Sequence, residues 1–378
     1  MTNPLAVELM ALPNLERLSS IVMMLIFISV LIIAHELGHF WVARRCGIKV
    51  ERFGFGLPFG PTLWSKKIGD VEYCIHACLF GGYVSFPDDD PDNPLPKDAP
   101  ERFENKSIGA RFAVMVAGVT VNAILGWFIM FMVFMAWGYP TGEAERRVLV
   151  GGLTSHSAPA ALAGLQKGDE LLAIDGQPIA GKDYVEMAET VKHTMKQHTL
   201  QPVTVSVLRK GARQNYTVTP NDKGLIGIQL AAVAKYEPVK NPVDAGVKTT
   251  AFLSNVIIKQ FDAFGKLFTG KMPMSELAGP IRIVNEGASM IDQNGIQTGL
   301  MLTAVISTIL AVMNLLPIPA LDGGHIFFLV LEALKGSPVK QEFRERVTQV
   351  GFLGLLGLIA FILLNDINNT FIHPPKLP

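Results

Sequence analysis

A chain of 378 residues with 49% apolar and only 17% charged side chains, at a mean hydropathy of +0.33, is too apolar for an ordinary soluble domain, which is about a quarter charged. Basic and acidic residues balance at 33 each, so the net charge of zero argues against a nucleic-acid partner. The three cysteines, Cys46, Cys74 and Cys78, are odd in number and clustered early, which excludes a disulfide framework. With His76 between the last two they offer an incomplete metal site at most, and small side chains in a strand are the simpler reading.

Four stretches are long and apolar enough for a membrane-spanning helix, which needs about 20 residues. The first is expected over Leu18–Ala43. Glu8 and Glu16 with a single basic Arg17 before it, and its length, argue against a cleavable leader. Next, Val71–Val84 alternates and ends near the pair Gly81-Gly82 with Tyr83, which predicts a β-hairpin. The acidic run Asp88–Asp92 lacks the ligand spacing of a calcium loop and reads as a solvated turn. The second span is expected over Phe112–Tyr139, so that residues 1–139 form an N-terminal membrane part. Residues 140–224 have the texture of a soluble domain, with alternation at Val203, Val205 and Val207 and a Gly-Asp turn. Residues 225–298 then form an amphipathic region, in which Val247, Phe252, Val256, Phe261, Phe264 and Phe268 predict a helix lying in the membrane interface. The C-terminal membrane part, 299–378, holds a third span from Gly299 to Leu316 and a fourth over Val347–Leu364. Basic residues flank the spans at Arg44, Arg45, Lys49, Arg52, Lys106, Arg111, Lys335, Lys340, Arg344 and Arg346. By the positive-inside rule those flanks are cytoplasmic, and both termini and the central domain lie outside.

The chemistry is concentrated in two places. His35-Glu36-Leu37-Gly38-His39 puts two imidazoles on one helix face, four residues apart, where both reach one metal ion. Glu36 beside them is placed to take a proton from a water polarised by that metal. Ionisable groups inside a membrane helix are costly and mark function by default. Catalytic zinc takes three protein ligands, and the best third is Asp322 in Asn314-Leu315-Leu316-Pro317-Ile318-Pro319-Ala320-Leu321-Asp322-Gly323-Gly324, with His325 ranked below it. Pro317 and Pro319 forbid a regular helix there, and irregular backbone at membrane depth lines a wet cavity or is buried in protein. Asn314 is either a donor to a scissile carbonyl or a helix–helix contact.

The combination of HExxH in the first span, N-x-x-P-x-x-x-x-D-G near the third and an intervening domain resembles the bacterial site-2 proteases, of the regulator of sigma-E protease type. Phe103–Arg111 and Leu277-Ala278-Gly279-Pro280-Ile281 extend the likeness to nearly the whole chain. The intervening domain itself resembles a PDZ domain through Ala163-Gly164-Leu165-Gln166-Lys167-Gly168-Asp169 and Ile174-Asp175-Gly176, and Gly224–Ile228 resembles its carboxylate-binding loop. The resemblance implies a polytopic α-helical membrane protein with about four transmembrane helices, a membrane-associated β-hairpin and one inserted α+β PDZ domain. It implies an intramembrane metalloprotease of the bacterial inner membrane, acting toward the cytoplasmic side on single-pass membrane proteins. Carried over residue by residue, the resemblance implies zinc on His35, His39 and Asp322, Glu36 as the base, Asn314 as a substrate-binding group, and a hairpin with Gly81, Gly82 and Tyr83 that docks the substrate. For the inserted domain it implies a gate and a site for a peptide C-terminus. Two departures stand out: Gly118–Asn122 lacks the family's proline, and the chain has one such domain where enterobacterial members have two. A membrane metal transporter, tested by zinc uptake into vesicles, and a catalytically silent PDZ scaffold, disfavoured by an intact Glu36, are the alternatives.

Overall fold

The computed structural model describes residues 13–90, 95–155, 157–273 and 277–368. Glu8, the Pro91 and Asp92 end of the acidic run, His156 and the two chain ends lie outside them, as does the Cys78 side chain. In chain order the elements are α1 (Pro13–Arg45), β1 (Arg52–Ile68), β2 (Val71–Ser85), α2 (Ile108–Trp137), β3 (Tyr139–Leu153), α3 (Pro159–Leu162), β4 (Glu170–Ile174), β5 (Gln177–Pro178), α4 (Tyr184–Gln197), β6 (Val203–Arg209), β7 (Ala212–Val218), β8 (Ile228–Glu237), α5 (Pro242–Phe268), α6 (Pro280–Asn294), α7 (Ile296–Leu315), α8 (Asp322–Lys335) and α9 (Gln341–Ile367).

Helices α1, α2, α7 and α9 are long and apolar enough to cross a bilayer. The chain is therefore a polytopic membrane protein that also carries β structure. The helix limits differ from the apolar runs where polar residues cap or extend them. Ser107 caps α2 by accepting the Ala110 N–H at 3.3 Å, so the helix starts before Phe112. Gly138, at φ +84°, ends it, and Tyr139 opens a strand instead of closing the span. The mostly charged stretch Gln341–Arg346 lengthens α9 toward its N-terminus beyond the expected Val347.

The segment after α1 is not a simple hairpin of residues 71–84. Ile68 to Thr62 pairs with Val71 to His76 around a Gly69-Asp70 turn. Residues 52–55 lie between two further stretches: Arg52–Phe55 aligns with Glu72–Ile75, both segments advancing together, and Arg52–Phe55 also pairs with Ser85–Gly82 in the opposite sense. Long curved strands thus make a four-segment sheet in which 82–85 is an edge. Tyr83 lies over Gly54, the cross-strand position with no side chain. Its hydroxyl is 3.0 Å from His76 Nε2, and Thr62 Oγ1 is 3.3 Å from His76 Nδ1. His76 is spent on these contacts, and among the described residues it joins no metal-ligand cluster with Cys74.

The described residues on either side of 91–94, 87–90 and 95–107, are held by their own polar groups. Asp88 accepts the Phe103 N–H at 2.7 Å and faces Arg102, and Asp89 accepts the Phe86 N–H at 2.7 Å, so the described acids organise a turn. Burial pushes the Asp89 carboxyl above its ordinary range. Within the Phe103–Arg111 motif, Phe103 stacks on Phe86, Asn105 donates to the Lys97 and Ala99 carbonyls, and Arg111 forms a buried ion pair with Glu332 of α8 at 2.6 Å.

Residues Phe134–Asn241 form a separate compact unit. Its sheet runs in the order β7-β6-β4-β3-β8, with β5 on β4. Val203, Val205 and Val207 point into a core closed by Met187, Val191 and Met195, which recur every fourth residue along α4. Asp183 starts that helix by accepting the Glu186 N–H at 2.9 Å. The limits differ from 140–224, because β8 pairs along β3 from Ile228–Leu153 to Glu237–Tyr139 and so belongs to the sheet. Within Gly224–Ile228, the Ile226 and Gly227 carbonyls accept the Ala160 and Thr154 N–H groups.

In the membrane unit, α6 packs on the start of α1 through Met24, Val284 and Ile291, with Arg17 ion-paired to Asp292 at 3.2 Å. The Leu277–Ile281 motif leads into α6. Asp366, at the far end of α9, accepts the Gly279 and Arg282 N–H groups at 3.0 and 3.1 Å, a carboxylate cap supplied by another helix. A β-carbon on Gly279 would collide with Ile362 and Asp366, which is why that position carries none.

Candidate metal centre

On α1, His35 and His39 are one turn apart with ring centroids 4.8 Å apart, edge to face. Helix α2 crosses directly behind them at Gly118. A β-carbon there would meet both imidazoles, 2.7 Å from His35 Cε1, so the bare backbone is what lets the helices approach. One turn earlier on α2, the Val114 carbonyl accepts a hydrogen bond from His39 Nδ1 at 2.8 Å. That bond places the ring hydrogen on Nδ1 and leaves Nε2 with a free lone pair facing inward.

Asp322 reaches the same point from the other end of the chain. Pro317 and Pro319 stop α7, Ala320 turns the backbone at φ +76°, and α8 begins at Asp322. Gly323 and Gly324 press against the carbonyls of Leu315 and Ile318, each 2.6 Å from where a β-carbon would sit. Side chains there would push α8 away and withdraw the carboxylate. As built, Asp322 Oδ2 lies 3.2 Å from His35 Nε2 and 3.4 Å from His39 Nε2, and the two Nε2 atoms are 3.2 Å apart.

The three atoms form a nearly equilateral triangle whose centre is about 1.9 Å from each corner, close to the ~2.0–2.2 Å of zinc bonds to imidazole and carboxylate. Asp322 Oδ2 is buried and accepts no well-aligned hydrogen bond, an orphaned anionic oxygen that a cation would satisfy. Two imidazoles and one carboxylate fit zinc with a coordination position to spare. Among the described residues this is the cluster of three metal-binding side chains; His325 lines the same cavity as these three but is not part of the cluster.

Glu36 stands beside the cluster, and the edge segment 82–85 lies against it: a β-carbon on Gly82 would be 2.9 Å from Glu36 Cγ and 3.3 Å from Ile32 Cγ2. Two cavities meet here, sharing His35, Glu36, Gly82 and Asp322. The larger, about 530 Å³, is rimmed by polar groups including Asp88, Asp89, Glu104, Gln341 and Arg344, a lining suited to water. The smaller, about 290 Å³, is lined by Ile32, Gly81, Asn122, Leu310 and Asn314. Asn314 Nδ2 is 3.5 Å from His35 Nε2, on the side away from the polar rim. The expected residues His35, Glu36, His39, Asp322, Asn314, Gly81, Gly82 and Tyr83 therefore surround one pair of connected spaces.

Sequence reading left two contributors without a role, Val114 and Asn122. Asn122 is 1% exposed, with its amide 3.3 Å from His35 Nδ1. The signal was present as Val114, Gly118 and Asn122 at successive four-residue steps of an apolar span, matching the His35–His39 step on α1.

Two imidazoles, a carboxylate and a flanking glutamate, carried on helices long enough to cross a bilayer, define a metal-dependent hydrolase built into a membrane. The family model described as peptidase family M50 matches residues 23–358. A Nostoc sp. protein named as a zinc metalloprotease is 38% identical over 347 residues, covering 90% of this chain and 93% of its own. The chloroplastic membrane metalloprotease ARASP of Arabidopsis thaliana is 32% identical over 367 residues, with 93% and 80% covered. The regulator of sigma-E protease of Escherichia coli is 28% identical over 449 positions, with 90% and 97% covered. That alignment is longer than the 378 residues here, so the relative carries internal insertions. The chain belongs to peptidase family M50 and is a metalloprotease.

Proposed function

We propose that this protein is a zinc-dependent intramembrane protease that hydrolyses peptide bonds within the spanning segments of single-pass membrane proteins. The observation that carries this reading is the convergence of His35, His39 and Asp322 within 3.2–3.4 Å, on helices of membrane-spanning length, with Glu36 alongside. Zinc, when bound, supplies Lewis-acid polarisation that makes water acidic enough to react near neutral pH. Glu36 takes the proton from the attacking water and returns it to the leaving amine. Asn314 donates its amide N–H to the scissile carbonyl as negative charge grows there. A helical substrate hides its own amides, so it is unwound before attack; the edge at Gly81, Gly82 and Tyr83 accepts the freed strand. Water enters by the polar larger cavity, and the substrate occupies the smaller one.

The basic residues flanking the spans support a topology with both termini and the β domain outside the bacterial inner membrane and the metal centre toward the cytoplasm. Substrates of this kind include anti-sigma factors, in keeping with the sigma-E in the name of the Escherichia coli relative, and remnant signal peptides fit the same single-pass class. The decisive experiment places the purified chain in proteoliposomes with a single-pass substrate tagged at both ends. Cleavage is expected inside the spanning segment, lost on stripping the metal with a chelator and restored by zinc. Cleavage confined to soluble flanks, or persisting after stripping, would sink the reading.

The β domain acts as a PDZ-type gate that keeps substrates with bulky outer domains from the site and offers its sheet to a peptide C-terminus. Strand β8 and the pairing of Tyr139 with Glu237 decide how to test this. Removing 146–222 would cut β3 within its length and leave much of β8 without its partner strand, whereas replacing 140–236 by a short Gly/Ser linker joins two residues already paired across strands. That replacement is expected to release cleavage of substrates not previously trimmed outside, read as a gain of tagged fragment. Unchanged selectivity would remove the gate.

A further inference from the structure

The two metal-facing histidines are held differently from behind. His39 Nδ1 meets the Val114 carbonyl, which can only accept, so its hydrogen position is settled by the backbone. His35 Nδ1 meets the side-chain amide of Asn122 at 3.3 Å. An amide can present either end: its oxygen and nitrogen exchange by a half-turn that moves no other atom appreciably. With Nδ2 turned to His35, that nitrogen's hydrogen points at a ring lone pair, the ring hydrogen is driven to Nε2, and Asn122 Oδ1 is buried without a partner. A histidine whose Nε2 carries hydrogen has no lone pair there for a metal.

We infer that Asn122 is a positioning residue for the metal centre: its amide oxygen accepts the His35 Nδ1 hydrogen and so keeps Nε2 available to zinc. The inference rests on the metal-centre reading given above. Three successive turns of α2 then serve the two rings as one rail, with the Val114 carbonyl for His39, bare Gly118 between them, and Asn122 for His35. The rail is anchored in turn, because the Asn122 backbone carbonyl accepts the Ser307 hydroxyl of α7 at 2.7 Å, and that bond survives any change of the 122 side chain. The same α7 ends in the Pro317–Asp322 turn, so the element that fixes Asn122 also leads into the third donor.

The test compares zinc affinity of the purified full-length chain, by competition with a chromophoric chelator, in the parent and in Asn122→Leu, Asn122→Ser and Asn122→Asp. Outer partners of metal ligands are typically worth about 10–100-fold in affinity. Asn122→Leu and Asn122→Ser are each expected to weaken zinc binding by about that factor, while Asn122→Asp, which keeps an acceptor, holds within about threefold of the parent or tighter. Ser is smaller than Asn and cannot reach Nδ1, so it reports even where Leu fails to fold. Parent-like affinity in the Ser variant, or equal loss in Asp and Ser, would overturn the assignment. A parent chain that itself fails to bind zinc would instead overturn the metal centre.

Discussion

Glu36→Gln in the full chain is expected to cut intramembrane cleavage by about 10²–10⁴-fold, the usual contribution of a positioned acid–base group, while zinc affinity stays at the parent value. The separation follows from geometry. The donor triangle is closed by His35 Nε2, His39 Nε2 and Asp322 Oδ2, with Glu36 beside it and outside it. Glutamine has almost the same shape and packs against Gly82 as glutamate does, but its amide has no affinity for the proton. Initial rates on a double-tagged substrate in proteoliposomes, with metal content measured on the same preparation, check both halves. Cleavage within about threefold of the parent would remove Glu36 as the base, and loss of zinc would make it a ligand instead.

Asp322→Asn is expected to act differently, lowering zinc affinity by more than the ~10–100-fold that an outer partner costs and taking cleavage down with it. The substitution removes the anionic oxygen that closes the triangle with the two imidazoles, and a neutral amide oxygen is a far poorer ligand for a dication. Backbone placement should survive, because the turn is held by Pro317, Pro319 and the close approach of Gly323 and Gly324, none of which uses the carboxylate. Thermal unfolding is therefore expected to match the metal-stripped parent. Chelator competition reads the affinity, and a variant that binds zinc as the parent does would take Asp322 out of the donor set and bring His325 forward.

The two variants differ in how far local sequence alone determines the residue's role. The His35–His39 step needs only helix geometry, so it could be read from five residues. Asp322 was harder, since it was singled out by proline-broken backbone at membrane depth and not by spacing to the histidines. Asn122 was visible as the end of a motif lacking its usual proline, yet its role depends on which α1 side chain lies opposite, and that is not a local property. The same limit explains the segment 52–85. Alternation marked 71–84 as extended, but nothing local says that residues 52–55 slot between 72–75 and 82–85. Strand β8 was assigned to the following region for the same reason, because its partner β3 lies far back in the chain.

What the sequence by itself determined is the chemistry and the medium: two imidazoles one helical turn apart, a glutamate between them, an aspartate in broken backbone, and four runs long enough for a bilayer. These follow from period, length and composition, which act over a few residues. Only the tertiary structure decided that Asp322 closes the triangle, that 82–85 is the edge beside Glu36, and that Asn122 backs His35. Each depends on which distant segments share a surface, and that is set by close packing at positions such as Gly118, Gly323 and Gly324, where the absence of a side chain lets two backbones meet.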